Sequence, residues 1–302
     1  MTYMSFYKRG RAVFLAISAA SIFVPRAGLP GTASAPFAPG EKLTYSITWS
    51  AFDAGEVTAT VQRTANDPHD DYEVVTTARS HGFVSLLYNL NDEFRSRFSP
   101  DTSCSAGISK QVVEGRRHKR TEITFDSSRK LAILDEHNLA KPSEPPKHSE
   151  EAIPECVQDV VSAFYYLRSQ PMQVGDRIHV PVNDGSKTTE VIVEVQAREE
   201  IDTPIGRRAA FRVEPTVFGS LYKRKGRMLI WFSDDAQRLP LRIKAIISVG
   251  AITGTLQSVT QVPAAVSPAS PQGLRLPIEP DRQIFRTRGQ GSFLSPPRKV
   301  RI

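Results

Sequence analysis

The chain has 302 residues, of which 40% are hydrophobic and 8% aromatic, enough to build a substantial hydrophobic core. Its net charge of +7 is concentrated at the two ends, because residues 1–35 carry four cations and no acid and residues 261–302 carry a net +5. The intervening residues 36–260 therefore have a net charge of −2, which argues against a nucleic-acid-binding surface.

Residues 1–35 have the pattern of a signal peptide. Three basic residues precede an uncharged apolar run of 13 residues, Ala12–Val24, which is too short to span a bilayer as a helix. Small residues typical of a cleavage site follow at Gly31–Ala35, and this segment contains no cysteine for lipid attachment. We expect export to the periplasm or cell envelope; an uncleaved N-terminal anchor is the alternative.

The chain has two cysteines, Cys104 and Cys156, which are 52 positions apart and belong to no CxxC or Cys/His cluster. In an exported protein, an even pair of this kind is typical of a disulfide bond. We therefore expect Cys104 and Cys156 to be bonded. Two separately buried thiols are the alternative.

From Glu41 onward the hydrophobic residues mostly alternate with polar ones, which predicts β-strands. The first strand shows this most clearly, with Leu43, Tyr45, Ile47 and Trp49 on one face. About a dozen such runs, separated by turn residues, indicate a meander of antiparallel hairpins. The run HGFVSLLYNL breaks the alternation and indicates a short helical turn or a bulky loop. Residues 138–154, with four prolines, are expected to form an exposed loop.

One helix is predicted, over residues 156–169. Its apolar residues recur at helical spacing and form one broad face, and Pro171 ends it; they are Val157, Val160, Val161, Phe164 and Leu167. We expect Phe164 to face the core, and at least one of Tyr165 and Tyr166 to meet solvent or line a groove. The predicted fold is mainly β, α+β at most, with a strongly curved antiparallel sheet or open barrel on which this helix packs.

Residues 261–302 are rich in Pro, Ser and Arg and contain few large apolar residues. This composition predicts a disordered basic tail that could contact an anionic envelope surface. The expected organisation is thus a signal peptide, a single β-rich domain over residues 36–260 and the tail.

Several stretches together resemble the DUF3108 family of exported bacterial proteins of unknown function. They are PGEKLTYSITWSAFDAGEV, LYNLNDEFRS, QDVVSAFYYLRSQPMQVGD, EEIDTPIGRRAAFRVEP and KRKGRMLIWFSDDAQRLPLRI. The resemblance covers roughly residues 37–257 and implies no enzymatic activity. It implies a curved antiparallel sheet wrapped on a helix, similar at the level of fold to periplasmic lipoprotein carriers of the LolA/LolB type.

No pattern in the sequence indicates catalysis, a metal or a cofactor. The six histidines are scattered without HxH or HExxH spacing, so we predict no metal site; they are His69, His81, His118, His137, His148 and His179. Asp234 and Asp235 are expected to form a turn rather than a catalytic pair. The basic residues around Lys223–Arg227 favour a solvated strand edge, with a contact to anionic lipid headgroups or polysaccharide as the alternative.

The predicted function is a non-catalytic envelope binding or assembly factor that holds a lipid or an acylated partner in an apolar cleft. The residues expected to line the cleft are Trp49, Phe164, Tyr165, Tyr166 and Trp231. The alternative is a structural scaffold with a filled core that recruits an envelope protein through its sheet edges or its tail. The sequence does not indicate an oligomeric state.

Overall fold

The computed structural model describes residues 36–64, 71–216, 226–248, 250–261 and 266–267. The predicted signal peptide and nearly all of the predicted tail lie outside these residues, as does the basic run Lys223–Lys225. Within the described residues, no helix has both the length and the apolar composition needed to cross a membrane.

The described residues form fifteen strands and two short helices. The first eight strands are β1 (Glu41–Trp49), β2 (Phe52–Thr64), β3 (Tyr72–Ser80), β4 (Asn91–Phe98), β5 (Ser105–Glu114), β6 (Arg117–Asp126), β7 (Leu131–Asn138) and β8 (Lys147–Ala152). The others are β9 (Arg177–Asn183), β10 (Thr188–Thr203), β11 (Gly206–Pro215), β12 (Gly226–Ser233), β13 (Pro240–Ile247), β14 (Gly250–Gln261) and β15 (Val266–Ser267). The helices are α1 (Gly82–Leu87) and α2 (Ser162–Arg168).

Strands β1 to β14 form one antiparallel sheet made of two meanders. Its order is β8-β7-β6-β5-β4-β3-β2-β1-β14-β13-β12-β11-β10-β9, so β1 and β14 join the meanders at the centre. Strand β15 adds a short parallel pairing to β2. The mainly β fold with a curved antiparallel sheet is therefore confirmed. Of the two alternatives for HGFVSLLYNL, a helical turn or a loop, the structure has the helix α1.

The sheet curls until its two halves, β1–β8 and β9–β14, touch each other near their outer edges; we call these halves the wings. The right-handed twist of so many strands favours this curl. The turn between β9 and β10, near one edge, reaches β6 and β7, near the other. Gly185 in this turn lies so close to them that a Cβ there would be 2.4 Å from Leu134 Cδ1 and 2.8 Å from Ile123 Cδ1. The sheet thus has a concave face that encloses an interior.

The connection from β8 to β9 must join the two edges of the sheet, and it does so across the concave face. We call residues 153–168 the internal segment. Its side chains enter three core clusters: Ile153 and Val157 pack with β5–β7, Tyr165 with Phe98, and Leu167 with β9–β12. The interior is therefore partly filled by the chain itself.

The predicted helix over 156–169 is shorter in the structure, because only residues Ser162–Arg168 are helical. Residue Gln158 instead pairs with Val182 of β9 in a parallel bridge. The helix begins where the Asp159 carboxylate accepts hydrogen bonds from the N–H groups of Val161 (2.7 Å) and Ser162 (3.1 Å). Apolar spacing alone could not place this start, because the residues before it lie in a bend, a bridge to β9 and a turn.

The prediction of an exposed loop over 138–154 is wrong for its second half. Strand β8 pairs with β7 from Lys147 to Ala152, between Pro146 and Pro154. Because β8 is an edge strand, it needs a partner on one side only and can be polar throughout.

Candidate ligand-binding groove

Strand β1 forms the floor of an apolar groove on the concave face. Its alternate residues Leu43, Tyr45, Ile47 and Trp49 all line this groove, as the period-two pattern predicts. Neighbouring strands add small residues at the same level: Leu43 faces Ala59 of β2, and Ile47 faces Gly254 of β14. Small partners beside large ones leave open space above the floor.

That space consists of two adjoining cavities. Cavity A, beside α2, has a volume of about 340 Å³, and cavity B, beside α1, about 580 Å³. Cavity A is lined by Leu43, Tyr45, Ile47, Val57, Ala59, Thr76, Phe94, Val160, Val161, Phe164, Tyr165, Arg168, Pro240, Ile243, Ala245, Ile252 and Gly254. Cavity B is lined by Ile47, Trp49, Ala54, Gly55, Glu56, Val57, Ala78, Arg79, Ser80, Val84, Tyr88, Leu90, Ile247 and Ile252.

The two cavities share Ile47, Val57 and Ile252, so together they make one groove that follows β1. From Leu43 to Trp49 the floor is about 20 Å long at the usual rise of a strand. Both volumes lie within the range of known small-molecule sites. Most lining side chains are apolar; the exceptions are Thr76 and Arg168 in cavity A and Glu56, Arg79 and Ser80 in cavity B. This shape and chemistry suit a long apolar chain.

The α2 end of the groove is closed by aromatic rings. Tyr165 is 4% exposed and makes edge-to-face contact with Phe37 at 4.9 Å between ring centroids. Its ring also lies 5.7 Å from that of Phe98. Burial raises the pKa of Tyr165, so its hydroxyl stays protonated at physiological pH. This end therefore presents an uncharged wall.

A buried ion pair lies behind this wall. The Arg168 guanidinium donates to both carboxylate oxygens of Glu41, at 2.6 and 2.8 Å, and to the backbone oxygens of Pro36 and Gln237. Although burial acts to lower the pKa of Arg168, the hydrogen bonds and charge of Glu41 raise it. Because Arg168 is fully engaged, it fixes α2 to β1 and offers no free charge to a ligand.

A second buried carboxylate holds the start of α2. Asp159 Oδ2 accepts hydrogen bonds from Ser96 Oγ (2.6 Å) and Ser105 Oγ (2.7 Å), while Oδ1 receives the helix N–H groups. Sequence reasoning missed Asp159, Arg168 and Glu41. The spacing of Asp159 and Ser162 was a signal for a helix start, but nothing in the sequence links Glu41 to Arg168.

The predicted groove residues divide into two sets. Trp49 lines cavity B, and Phe164 and Tyr165 line cavity A, with Phe164 only partly buried. Tyr166 packs instead against the core around Leu167. Trp231 is buried in another cluster, where its Nε1 donates to Glu199 Oε1 at 2.6 Å, and it lines neither cavity. The helix is enclosed on several sides, so its core-facing residues do not fall on a single stripe.

The predicted disulfide between Cys104 and Cys156 is confirmed, with the two Cα atoms 5.2 Å apart. It ties the β4–β5 loop to the internal segment. Beside it, Ser105 N donates to Val157 O at 2.9 Å. The groove wall formed by residues 160–165 is thus held covalently as well as by packing.

Asp235, His148 and His179 make local contacts that need no catalytic role. Asp235 Oδ1 accepts hydrogen bonds from Ser233 Oγ and from the N–H groups of Gln237 and Arg238, which is turn chemistry. His148 and His179 are exposed and each contacts one carboxylate. Among the residues that the structure describes, no three His, Cys, Asp or Glu side chains are grouped to hold a metal. His69 lies outside those residues.

Similar folds occur among solved structures. A β-barrel-like protein of the DUF1849 domain from Brucella abortus matches with a TM-score of 0.51 and 7% identity, over 74% of this chain and 98% of that one. An inferred exported protein with a YmcC-like fold from Bacteroides fragilis matches at 0.33 and 10% identity, over 75% and 98%. An inferred lipoprotein from Parabacteroides distasonis matches at 0.27 and 9%, over 74% and 96%. Only the first similarity supports a shared fold.

A search of curated protein sequences finds no significant match. The sequence model of the DUF3108 family, described as a protein of unknown function, matches residues 44–257. This span runs from the groove floor in β1 to strand β14 and includes both meanders and the internal segment. The chain belongs to the DUF3108 family.

Proposed function

We propose that this protein is a non-catalytic binding factor of the bacterial cell envelope that holds the acyl chain of a lipid or of a lipid-modified protein. The observation that carries the proposal is the groove along β1, formed by two adjoining cavities that share Ile47, Val57 and Ile252 and present a mostly apolar surface. A site built to orient a polar substrate would place several convergent polar groups in it. This groove instead suits a ligand recognised by its length and hydrophobicity.

The groups around cavity A favour an uncharged part of a ligand there, whereas the charged residues Glu56 and Arg79 line cavity B. Arg168 is neutralised by Glu41, and Tyr45 Oη donates to Pro240 O at 2.9 Å. Burial raises the pKa of Tyr45 as well, so this hydroxyl also stays neutral. An acyl chain in cavity A would therefore meet rings and aliphatic side chains, with its polar head left toward cavity B.

Two observations support an envelope location. The N-terminal sequence has the pattern of a signal peptide, and the Cys104–Cys156 bond is of the kind that persists in oxidising compartments. A filled-core scaffold is the alternative, and the clusters around the internal segment fit it in part. The space left along β1 favours binding.

A bulky side chain can block the groove where its two cavities adjoin. Val57 lines both cavities, whereas the next residue, Thr58, points to the opposite face of β2 and contacts Thr77 Oγ1 at 2.8 Å. Val57→Trp should fill the junction and abolish binding of a fluorescent fatty acid, measured by titration. Thr58→Trp is the matched control and should bind like the wild type.

The same titration can contradict the proposal. If the wild-type protein binds no fluorescent fatty acid, or if Val57→Trp binds as tightly as Thr58→Trp, the groove is not the acyl site. Thermal melts of both variants verify that they are folded.

A further inference from the structure

An exposed apolar surface borders cavity B. Its most exposed members are Leu86, 82% exposed, and Phe83, 62% exposed, both on α1, together with Phe52 at 62% in the β1–β2 hairpin. Tyr88 and Ile252 are also exposed and line cavity B themselves. We call these five residues the apolar rim. Monomeric proteins seldom present such clustered apolar side chains to water without a use for them.

The rim is one continuous feature rather than five scattered residues. His81 N, just before α1, donates to Ala54 O at 3.1 Å, and His81 Nδ1 lies 3.7 Å from Asp53 Oδ2, which follows Phe52. Trp49 in the cavity wall pairs with Phe52 in one neighbouring strand and with Ile252 in the other. The segment that carries α1, the β1–β2 hairpin and the start of β14 therefore meet beside cavity B.

The position of α1 is fixed by its flanking residues. Ser80 N donates to Leu90 O at 3.0 Å, which closes the base of the loop, and Gly115 N donates to Asn89 O at 2.9 Å. Val84 points inward and lines cavity B, while Phe83 and Leu86 point away. The exposure of these two side chains is thus built into the fold.

We propose that the apolar rim docks onto the surface of a phospholipid bilayer, with Phe83 and Leu86 inserted among the lipids. Apolar side chains on a short helix, flanked by an interfacial tyrosine, have the chemistry that partitions into this region. The rim is continuous with an apolar cavity, so an acyl chain could pass between bilayer and groove without crossing water. Transfer of an acyl chain rests on the proposed function, whereas docking of the rim on a bilayer does not depend on it.

Charge near the rim does not favour an anionic surface over a neutral one. Arg117 is paired with Glu114 at 3.3 Å, and Asp53 and Glu56 lie on the hairpin beside Phe52. The cations and anions are mixed, so the attraction must come from burial of apolar area. Binding should then be insensitive to salt, unlike binding by a basic segment.

The test is co-flotation of the purified exported protein with vesicles of phosphatidylcholine alone. We expect the wild type to float with the vesicles at both low and high salt. The double variant Phe83→Ser/Leu86→Ser should bind at least about 100-fold more weakly, because full burial of one such side chain is worth at least about tenfold. Val174→Ser is the matched control, since Val174 is 57% exposed but lies in the loop between α2 and β9 and lines neither cavity.

Several outcomes would overturn docking: no binding of the wild type to neutral vesicles, binding only when anionic lipid is added, or equal binding by the double serine variant. A stable dimer that is lost in the double variant would also overturn it, by assigning the rim to a second copy of the chain. Fluorescent fatty-acid binding without vesicles separates the two proposals. Docking can fail while the groove still binds, and Val57→Trp should still float while its groove is blocked.

Discussion

At the scale of single residues, the interior is organised by a few buried polar groups that are fully paired. Arg168 and Glu41 are 127 positions apart, yet their side chains meet in two hydrogen bonds beneath the rings of Phe37 and Tyr165. Burying two charges is costly unless each is well paired. The pair therefore specifies where α2 sits on β1 more than it stabilises the fold.

Removing one charge of this pair should be strongly destabilising. We expect Glu41→Gln to lower the free energy of unfolding by about 3–5 kcal/mol, because Arg168 would stay buried without its counter-charge. Urea denaturation measures the change. The matched control is Glu144→Gln, which breaks the exposed Lys141–Glu144 pair and should have a much smaller effect, because solvent screens that pair. Equal effects of the two substitutions would contradict a structural role for the buried pair.

Asp92 provides a test by pH. It is 6% exposed, its Oδ1 accepts a hydrogen bond from Val113 N at 2.8 Å, and burial raises its pKa. A carboxyl whose folded pKa is raised costs stability once it ionises, so the cost is absent below the unfolded pKa of about 3.9 and complete above the folded value. Asp92→Asn should therefore stabilise the protein at pH 7, with the gain shrinking as the pH falls toward 4.

Asp126 is the control for Asp92, because its pKa is shifted in the opposite direction. Hydrogen bonds from Ser128 Oγ and Arg129 N lower the pKa of the exposed Asp126, so its ionised form favours folding. Asp126→Asn should lose stability at pH 7, and this loss should vanish as the pH falls below the folded pKa of Asp126. Parallel urea titrations across this pH range would show the two trends diverging. Trends in the same direction would contradict the assignment.

At the scale of elements, the internal segment is the part that the sequence described least well. Apolar spacing predicted a helix there and the correct residues for contact with the sheet, including Val160 and Leu167. It could not show that the first half is non-helical and held by Asp159, because that depends on hydroxyls from β4 and β5. Long-range partners of this kind leave no local pattern.

The disulfide should contribute much of the stability with which the internal segment is fixed to the sheet. A Cys104→Ser/Cys156→Ser variant should unfold with a free energy lower by about 3–4 kcal/mol, since the bond closes a loop with a sequence separation of 52. Denaturant melts of the variant and of the wild type treated with reductant should agree with each other. If the oxidised wild type is no more stable than either, the bond does not hold the segment in place.

The strands themselves were largely predictable, because alternation in β1 and its neighbours follows directly from burial on one face. The sequential order within each meander was predictable as well, because neighbouring hairpins pair in chain order. The pairing of β1 with β14, which joins the two meanders, was not predictable, because these strands are far apart in sequence. The groove was only partly predictable: Trp49, Phe164 and Tyr165 line it, but Tyr166 and Trp231 do not. Side-chain spacing indicates a face and does not show whether that face is packed or empty.

At the scale of the whole molecule, the fold depends on the contact between the two wings of the sheet. Gly185 makes this contact possible, because it has a φ of +95° and no side chain to strike Ile123 and Leu134. Gly185→Ala should lower the free energy of unfolding by at least about 2 kcal/mol, from backbone strain and overpacking together.

A second glycine separates these two effects. Gly206 in the β10–β11 turn has a similar φ of +105°, but a Cβ there would meet nothing within 4 Å. Gly206→Ala should therefore cost less than Gly185→Ala, because only the backbone strain remains. Thermal melts of both variants measure the difference. Equal losses would indicate that the wings do not press together at Gly185.

The central claim is that the concave face of this sheet holds an acyl chain. Its most direct test is native mass spectrometry of the wild-type protein released gently from the cell envelope. We expect a population whose mass exceeds that of the processed chain by one lipid or one acyl-bearing molecule, which is released on denaturation. A bare mass in every preparation, from a protein that also fails to take up added fatty acid, would contradict the claim.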